Sequence, residues 1–172
     1  LFHHYDGQRA FSEWVREAAS AGYPEPDPRV DLSGEDVRRK LLILARASGI
    51  ALRGEQVAVT SLVPAALAAL PTDAALAQLS LLDAPLQALW QQAQQQGGCL
   101  RFVGGFDHDG ATVGLRILQL GHPLAGGGQT DNRVAIHSDR YPTQPLLIQG
   151  PGAGADVTAA ALLDDVLAIV RR

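Results

Sequence analysis

The residues of this chain whose types and spacing could do chemistry lie between Glu25 and Lys40. Glu25, Asp27 and Asp31 place carboxylates in a loop with Pro24, Pro26 and Pro28 at alternate positions. Each proline fixes its own φ and biases the residue before it towards extended geometry, so the spacing predicts a stiff, extended strip. Ser33 reads as the N-cap of the helix that follows, and Asp36 three residues later completes an S-x-x-D capping signal. Lys40 falls four residues after Asp36, on the same helix face. A fixed carboxylate suits a cation, and a lysine beside it suits an oxygen that becomes negative during a reaction. The same residues also have plainer uses. Asp36 can cap the helix, Asp36 and Lys40 can form a solvated surface pair, and Asp27 and Asp31 can serve as turn formers.

The elements around this stretch set how well it is held. The run Leu41-Leu42-Ile43-Leu44-Ala45 is apolar on all sides, which predicts a buried helix with Lys40 partly desolvated at its edge. That helix runs from about Ser33 to Ser48 and stops at Gly49. Before it, Phe11 to Ala19 reads as an amphipathic helix with Ser12 as N-cap and Gly22 as its stop. After it come a strand at Gln56 to Leu62, a short helix at Pro64 to Leu70, and helical sequence from Asp73 to Gln96, split near Asp83 and Pro85. Strands follow at Leu100 to Phe106 and Ala111 to Leu120, joined through Asp107-His108-Asp109-Gly110 as a hairpin. Asn132 to Ser138 and Pro145 to Gln149 give two more strands, with Gly126-Gly127-Gly128 as a flexible loop before them. A last helix spans Thr158 to Arg171. Helices first, strands later and one closing helix define an α+β fold, with a largely antiparallel mixed sheet and helices packed on one face.

Composition removes several function classes. The chain has 172 residues, which predicts one domain with a sizeable core, and its net charge of −4 gives no reason to expect a nucleic-acid or anionic-membrane partner. No apolar run is long enough for a membrane span. The single Cys99 rules out an internal disulfide framework, fits a reducing, cytoplasmic compartment, and reads as a buried small hydrophobe. The chain begins with Leu1 and carries no secretory signal, which suggests a piece of a longer polypeptide. His3, His4, His108, His122 and His137 lack metal-ligand spacing, so no metal site is expected. Gly150-x-Gly152-x-x-Ala155 meets a relaxed dinucleotide fingerprint, but only one helix follows, with no second strand and no acidic residue about 20 positions on. Gly152 and Gly154 are therefore weak candidates for cofactor contact, against a plain role as turn and packing glycines.

The stretch from Glu25 to Arg46, Glu-Pro-Asp-Pro-Arg-x-Asp-Leu-Ser-Gly-x-Asp-Val-x-Arg-Lys-Leu-Leu-Ile-Leu-Ala-Arg, resembles the signature of homoserine dehydrogenases. It is most similar to the form in bifunctional aspartokinase/homoserine dehydrogenases. Leu100 to Gly104, His122 to Ala125 and Gly150 to Ala159 resemble later segments of the same enzymes, so the resemblance spans nearly the whole chain. Pro24 and Val30 depart from the family pattern, without being expected to abolish a site.

The resemblance implies the substrate-binding and dimerisation domain, residues 1–172, with the nucleotide-binding Rossmann half not in this chain. It implies NAD(P)H-dependent interconversion of L-aspartate 4-semialdehyde and L-homoserine, in threonine, methionine and isoleucine biosynthesis. The cofactor would be held mainly by the absent half, and the protein would form a homodimer through its sheet. Within that reading Glu25 is the first choice for the substrate ammonium and Asp31 the second. Lys40 would serve the carbonyl oxygen as hydride arrives, and Asp36 would orient Lys40. The isolated chain is expected to be inactive. A non-catalytic dimerisation or regulatory module that keeps this fold is the competing reading.

Overall fold

The sequence turns from helix-rich to strand-rich near residue 97, and the architecture follows that change. The structure, a computed structural model, describes residues 1–20, 27–128, 131–152 and 154–171. Helix α1 spans Phe11–Ser20, α2 Arg29–Leu32 and α3 Glu35–Ala47. Strand β1 spans Val57–Val59 and is followed by α4 (Ala65–Ala68), α5 (Thr72–Ala77) and α6 (Asp83–Gln95). Then come β2 (Gly98–Asp107), β3 (Gly110–Gln119), β4 (Asp131–Ser138), β5 (Tyr141–Pro151) and α7 (Ala155–Val170). Length alone suggests one unit. The chain instead divides into two compact units, Leu1–Gln119 and Leu120–Arg172.

The first unit is built on a three-stranded sheet in the order β1-β3-β2. β2 and β3 pair antiparallel through a two-residue turn that sets Asp107 opposite Gly110, and β1 runs parallel to β3. Period-two alternation aims one set of side chains at the helices. Leu100, Phe102 and Phe106 of β2 and Ala111, Val113, Leu115 and Ile117 of β3 join the two apolar clusters. One cluster gathers Phe11, Val15, Leu32, Leu67, Leu79, Leu82 and Leu86 with Leu100. The other sets Leu41 and Val37 of α3 against Val57, Val113 and Phe102. Each fully buried Leu, Val or Phe contributes about 1.5–3 kcal/mol relative to exposure. This is the expected α+β arrangement, a mixed, mainly antiparallel sheet with helices on one face.

Local details depart from expectation where tertiary contacts override local signals. Ser12 is not an N-cap: it lies in the first turn of α1, buried, and its N–H and hydroxyl both donate to Asp83, at 2.7 and 3.0 Å. A carboxylate from α6 thus satisfies the N-terminal donor of α1. Cys99 is half-buried rather than buried. The Leu41–Ala45 run is not covered on all sides either. Leu41 and Ala45 are buried against the sheet, whereas Ile43 and Leu44 are exposed. The expected stop of α1 at Gly22 falls outside the described residues.

The second unit pairs β4 with β5 antiparallel, with Val134 opposite Ile148 and Ile136 opposite Leu146. None of the described residues of α7 is buried. Asp131 closes the turn before β4, accepting from the Gly128 N–H at 3.2 Å and from Gln149 Nε2 at 2.6 Å. Arg133 Nη1 donates to the Pro123 carbonyl at 2.8 Å. A Cβ on Gly126 would fall 2.6 Å from that same nitrogen. The glycines expected to give a flexible loop therefore let the backbone close around the Arg133 guanidinium.

Candidate active site

The acidic stretch enters the described structure at Asp27 and turns helical at once. Pro28 is the N-cap of α2 with helical φ and ψ, so Asp31 sits in a short helix and not on an extended strip. Glu25, Pro24 and Pro26 lie outside the described residues. Asp27 accepts from the Arg29 backbone N–H at 3.0 Å, from Arg29 Nη2 at 2.6 Å and from the Thr72 hydroxyl at 3.2 Å. These partners, the Arg29 guanidinium foremost, hold its carboxyl from the ordinary 3.8 down to about 2. Asp27 is therefore already paired and has little to offer an ammonium.

Asp31 and Leu32 lead into the turn Ser33-Gly34. Leu32 is buried and its carbonyl accepts from Leu62 N–H at 3.1 Å, pinning α2 to the segment that follows β1. Ser33 Oγ donates to the Val30 carbonyl at 2.6 Å and accepts from the Glu35 N–H at 3.2 Å. The N-cap position itself is Gly34, not Ser33. Gly34 has φ +86°, and a Cβ there would meet Phe102 Cζ at 3.0 Å and Val59 Cγ1 at 3.2 Å. Only glycine combines that backbone angle with that proximity. One turn on, α3 lies close over β2: a Cβ on Gly104 would meet Val37 Cγ1 at 3.0 Å. Two glycines thus fix where α3 starts and how closely it lies on the sheet.

On that fixed helix Asp36 and Lys40 meet as expected. Lys40 Nζ lies 2.9 Å from Asp36 Oδ2, with the two side chains 53% and 49% exposed. The desolvation expected for Lys40 is absent, because Ile43 and Leu44 beside it are themselves uncovered. An exposed i,i+4 pair of this kind is worth about 0.3–0.5 kcal/mol to the fold. It leaves a directed ammonium open to solvent. Arg38, also on α3, is engaged by Glu35 at 2.5 Å.

Gly152 and Gly154 belong to the second unit. Gly154 has φ +129° and is the N-cap of α7. The side-chain amide of Asn132 occupies the position that a Cβ on Gly152 would need. Gly152 thus serves close packing, a role for Asn132 that sequence reasoning missed. β5, the strand that leads into α7, pairs antiparallel with β4, unlike the parallel strands that flank the helix of a Rossmann βαβ unit. Asp107, His108 and Asp109 cluster at the exposed hairpin tip, where Asp107 accepts from the backbone N–H groups of Asp109 and Gly110 at 2.8 and 3.2 Å. That is turn geometry.

The geometry gives an α+β unit with an exposed lysine–carboxylate pair on a helix held against its sheet by two glycines. The comparisons supply the class, an oxidoreductase family. The family profile "Homoserine dehydrogenase" matches residues 1–167. A bifunctional aspartokinase/homoserine dehydrogenase of Zea mays, a chloroplastic protein, is 43% identical over 170 residues, covering 97% of this chain and 18% of the relative. A homoserine dehydrogenase of Emericella nidulans is 38% identical over 170 residues, covering 94% and 46%. A Candida auris crystal structure of unknown function superposes with a TM-score of 0.86 at 41% identity, covering 96% of this chain and 47% of that one. A putative homoserine dehydrogenase from Archaeoglobus fulgidus gives 0.71 at 26% identity, covering 94% and 43%. This chain belongs to the homoserine dehydrogenase family, and it spans less than half the length of each of these relatives.

Proposed function

We propose that this chain is the substrate-binding and catalytic part of an NAD(P)-dependent homoserine dehydrogenase that interconverts L-aspartate 4-semialdehyde and L-homoserine. The observation that carries the proposal is the open Lys40–Asp36 pair on a helix whose start and height are fixed by Gly34 and Gly104. The substrate aldehyde oxygen gains negative charge when its carbon accepts a hydride. A nicotinamide cofactor supplies that hydride. Its binding is assigned mainly to a nucleotide-binding half outside this chain, which spans 18% of the maize relative and 46% of the Emericella one. Lys40 donates a hydrogen bond, and then a proton, to the oxygen as it becomes the alcohol. Asp36, 2.9 Å away, keeps the ammonium aimed. Glu25, with Asp31 second, holds the substrate α-ammonium.

Homodimerisation belongs to the same proposal. Ile136, Leu146 and Ile148 leave one face of the β4–β5 ladder apolar and exposed, and Leu147 is exposed on the other. An isolated two-stranded ladder is marginal in water, so a second copy that continues or covers it meets a physical need. No helix among the described residues is long and apolar enough to cross a membrane. We place the protein in the cytoplasm on its single cysteine, Cys99, a count that suits a reducing compartment, although the maize relative is chloroplastic.

The test supplies the nucleotide-binding half in trans and follows homoserine-dependent NAD(P)H formation. Activity that disappears in Lys40→Ala supports the proposal. A confirmed complex of the two halves without activity would favour the non-catalytic dimerisation module.

A further inference from the structure

Arg29 is the most heavily used side chain near the candidate site, and the proposed reaction assigns it nothing. Its guanidinium is 15% exposed and faces two ways. Nε donates to both oxygens of Asp27, at 3.0 and 3.1 Å, and Nη2 reaches Asp27 Oδ2 at 2.6 Å. Nη1 donates to the backbone carbonyls of Leu67 at 3.0 Å and Leu70 at 2.6 Å. Those carbonyls lie where α4 ends and α5 is about to begin, and Thr72 at the start of α5 donates to Asp27 Oδ2 from the far side. Helix ends leave carbonyls without intrahelical partners, and a planar fork satisfies several of them while also gripping a carboxylate. Leu67 is fully buried, so this corner is anchored in the core.

We propose that Arg29, the first residue of α2, is a positioning residue for substrate binding: it ties Asp27 and the start of α2 to the α4–α5 corner and so sets where Asp31, on the same short helix, stands to take the substrate ammonium. The inference rests on the proposed homoserine dehydrogenase function and deepens it. Further ties hold the described segment, the Thr72 hydroxyl bond to Asp27 and, on the far side of Asp31, the backbone bond from Leu62 to Leu32. Without Arg29 the segment keeps those ties and loses the fork that holds its start to the carbonyls of Leu67 and Leu70. α3, with Asp36 and Lys40, is held separately by Gly34 and Gly104. Loss of Arg29 therefore weakens the grip on the amino-acid end of the substrate and leaves the proton-donating end in place. A lysine restores one charge but not the fork, so it rescues only in part.

The experiment is steady-state kinetics on the assembled enzyme, this chain together with a nucleotide-binding half. Wild type, Lys40→Ala, Arg29→Ala, Arg29→Lys and Asp27→Asn are compared. The expected result for Arg29→Ala is a KM for homoserine raised about tenfold or more, with kcat within about threefold and the cofactor KM unchanged, the pattern of lost substrate binding. Arg29→Lys falls between, and Asp27→Asn shifts the homoserine KM in the same direction. Should Arg29→Ala fail to fold, the homoserine KM of Asp27→Asn decides. An active wild type whose homoserine KM is untouched by these variants overturns the proposal, even if their melting temperatures fall. So does a loss shared equally by kcat and both KM values. A wild-type assembly that does not oxidise homoserine instead overturns the functional reading, and the role of Arg29 falls with it.

Discussion

Lys40 and Asp27 are both charged residues with a carboxylate or guanidinium at hydrogen-bond distance, and they do opposite work. Asp27 is enclosed by Arg29 and Thr72, and its charge is consumed in holding the loop. Lys40 pairs with Asp36 and is 53% exposed. Replacing Lys40 by alanine is expected to lower kcat of the assembled enzyme by about 10²–10⁴, the usual contribution of a positioned proton donor, with little change in thermal stability. The pairing of Asp27 makes a separate prediction about pH. Its carboxyl is held from 3.8 down to about 2, so the folded state binds its proton less readily than the unfolded chain. The stabilisation is fully present above about pH 4 and is lost as pH falls towards 2. In urea titrations the wild type is therefore more stable than Asp27→Asn at pH 6, and the two converge by about pH 2. A constant gap between them across that range would contradict the assignment.

Helix α3 shows what positions the pair. Its N-cap glycine lies against Phe102 and Val59, and its second turn lies on Gly104. Gly34→Ala forces a side chain into left-handed backbone, which costs about 1–2 kcal/mol before any collision with Phe102. Circular dichroism melts are expected to show that loss, and kcat should fall as well because the start of α3 moves. A melting temperature equal to wild type would count against this account of the helix start. The i,i+4 relation of Asp36 and Lys40 was legible in the sequence because it is local, as were the strands β2 and β3 and the split before α6. The longer-range contacts were not. Nothing near Ser12 indicates that Asp83 caps its helix. Nothing near Arg29 indicates that its partners include carbonyls some forty residues on. The helical turn at Pro28 was missed because one proline fits the first turn of a helix as readily as an extended strip. The apolar run after Lys40 misled for a related reason: composition states what could be buried, and only the packing partners decide which face is.

At the scale of the molecule, the two units differ in how much apolar surface they enclose. The first buries two clusters between its helices and sheet. The second leaves Leu146 and Ile148 on one face of its ladder, and Leu162, Leu163, Val166 and Ile169 along α7, exposed. If the ladder is a dimer surface, Ile148→Asp shifts the protein towards monomer in sedimentation velocity while the first unit keeps its melting transition. An unchanged sedimentation coefficient would remove the ladder from the interface. The family resemblance was readable from Glu25 to Arg46 because that signature is contiguous. The division into two units was not, since length carries no record of where contacts thin out.

The most direct test of the central claim is homoserine-dependent NAD(P)H formation by this chain combined with a nucleotide-binding half, measured side by side for wild type and Lys40→Ala. The account predicts turnover by the wild type and a fall of about a hundredfold or more in the variant, with the complex intact. Equal turnover by the two would contradict the role given to Lys40, and an intact wild-type complex that leaves homoserine unoxidised would contradict the proposed function itself.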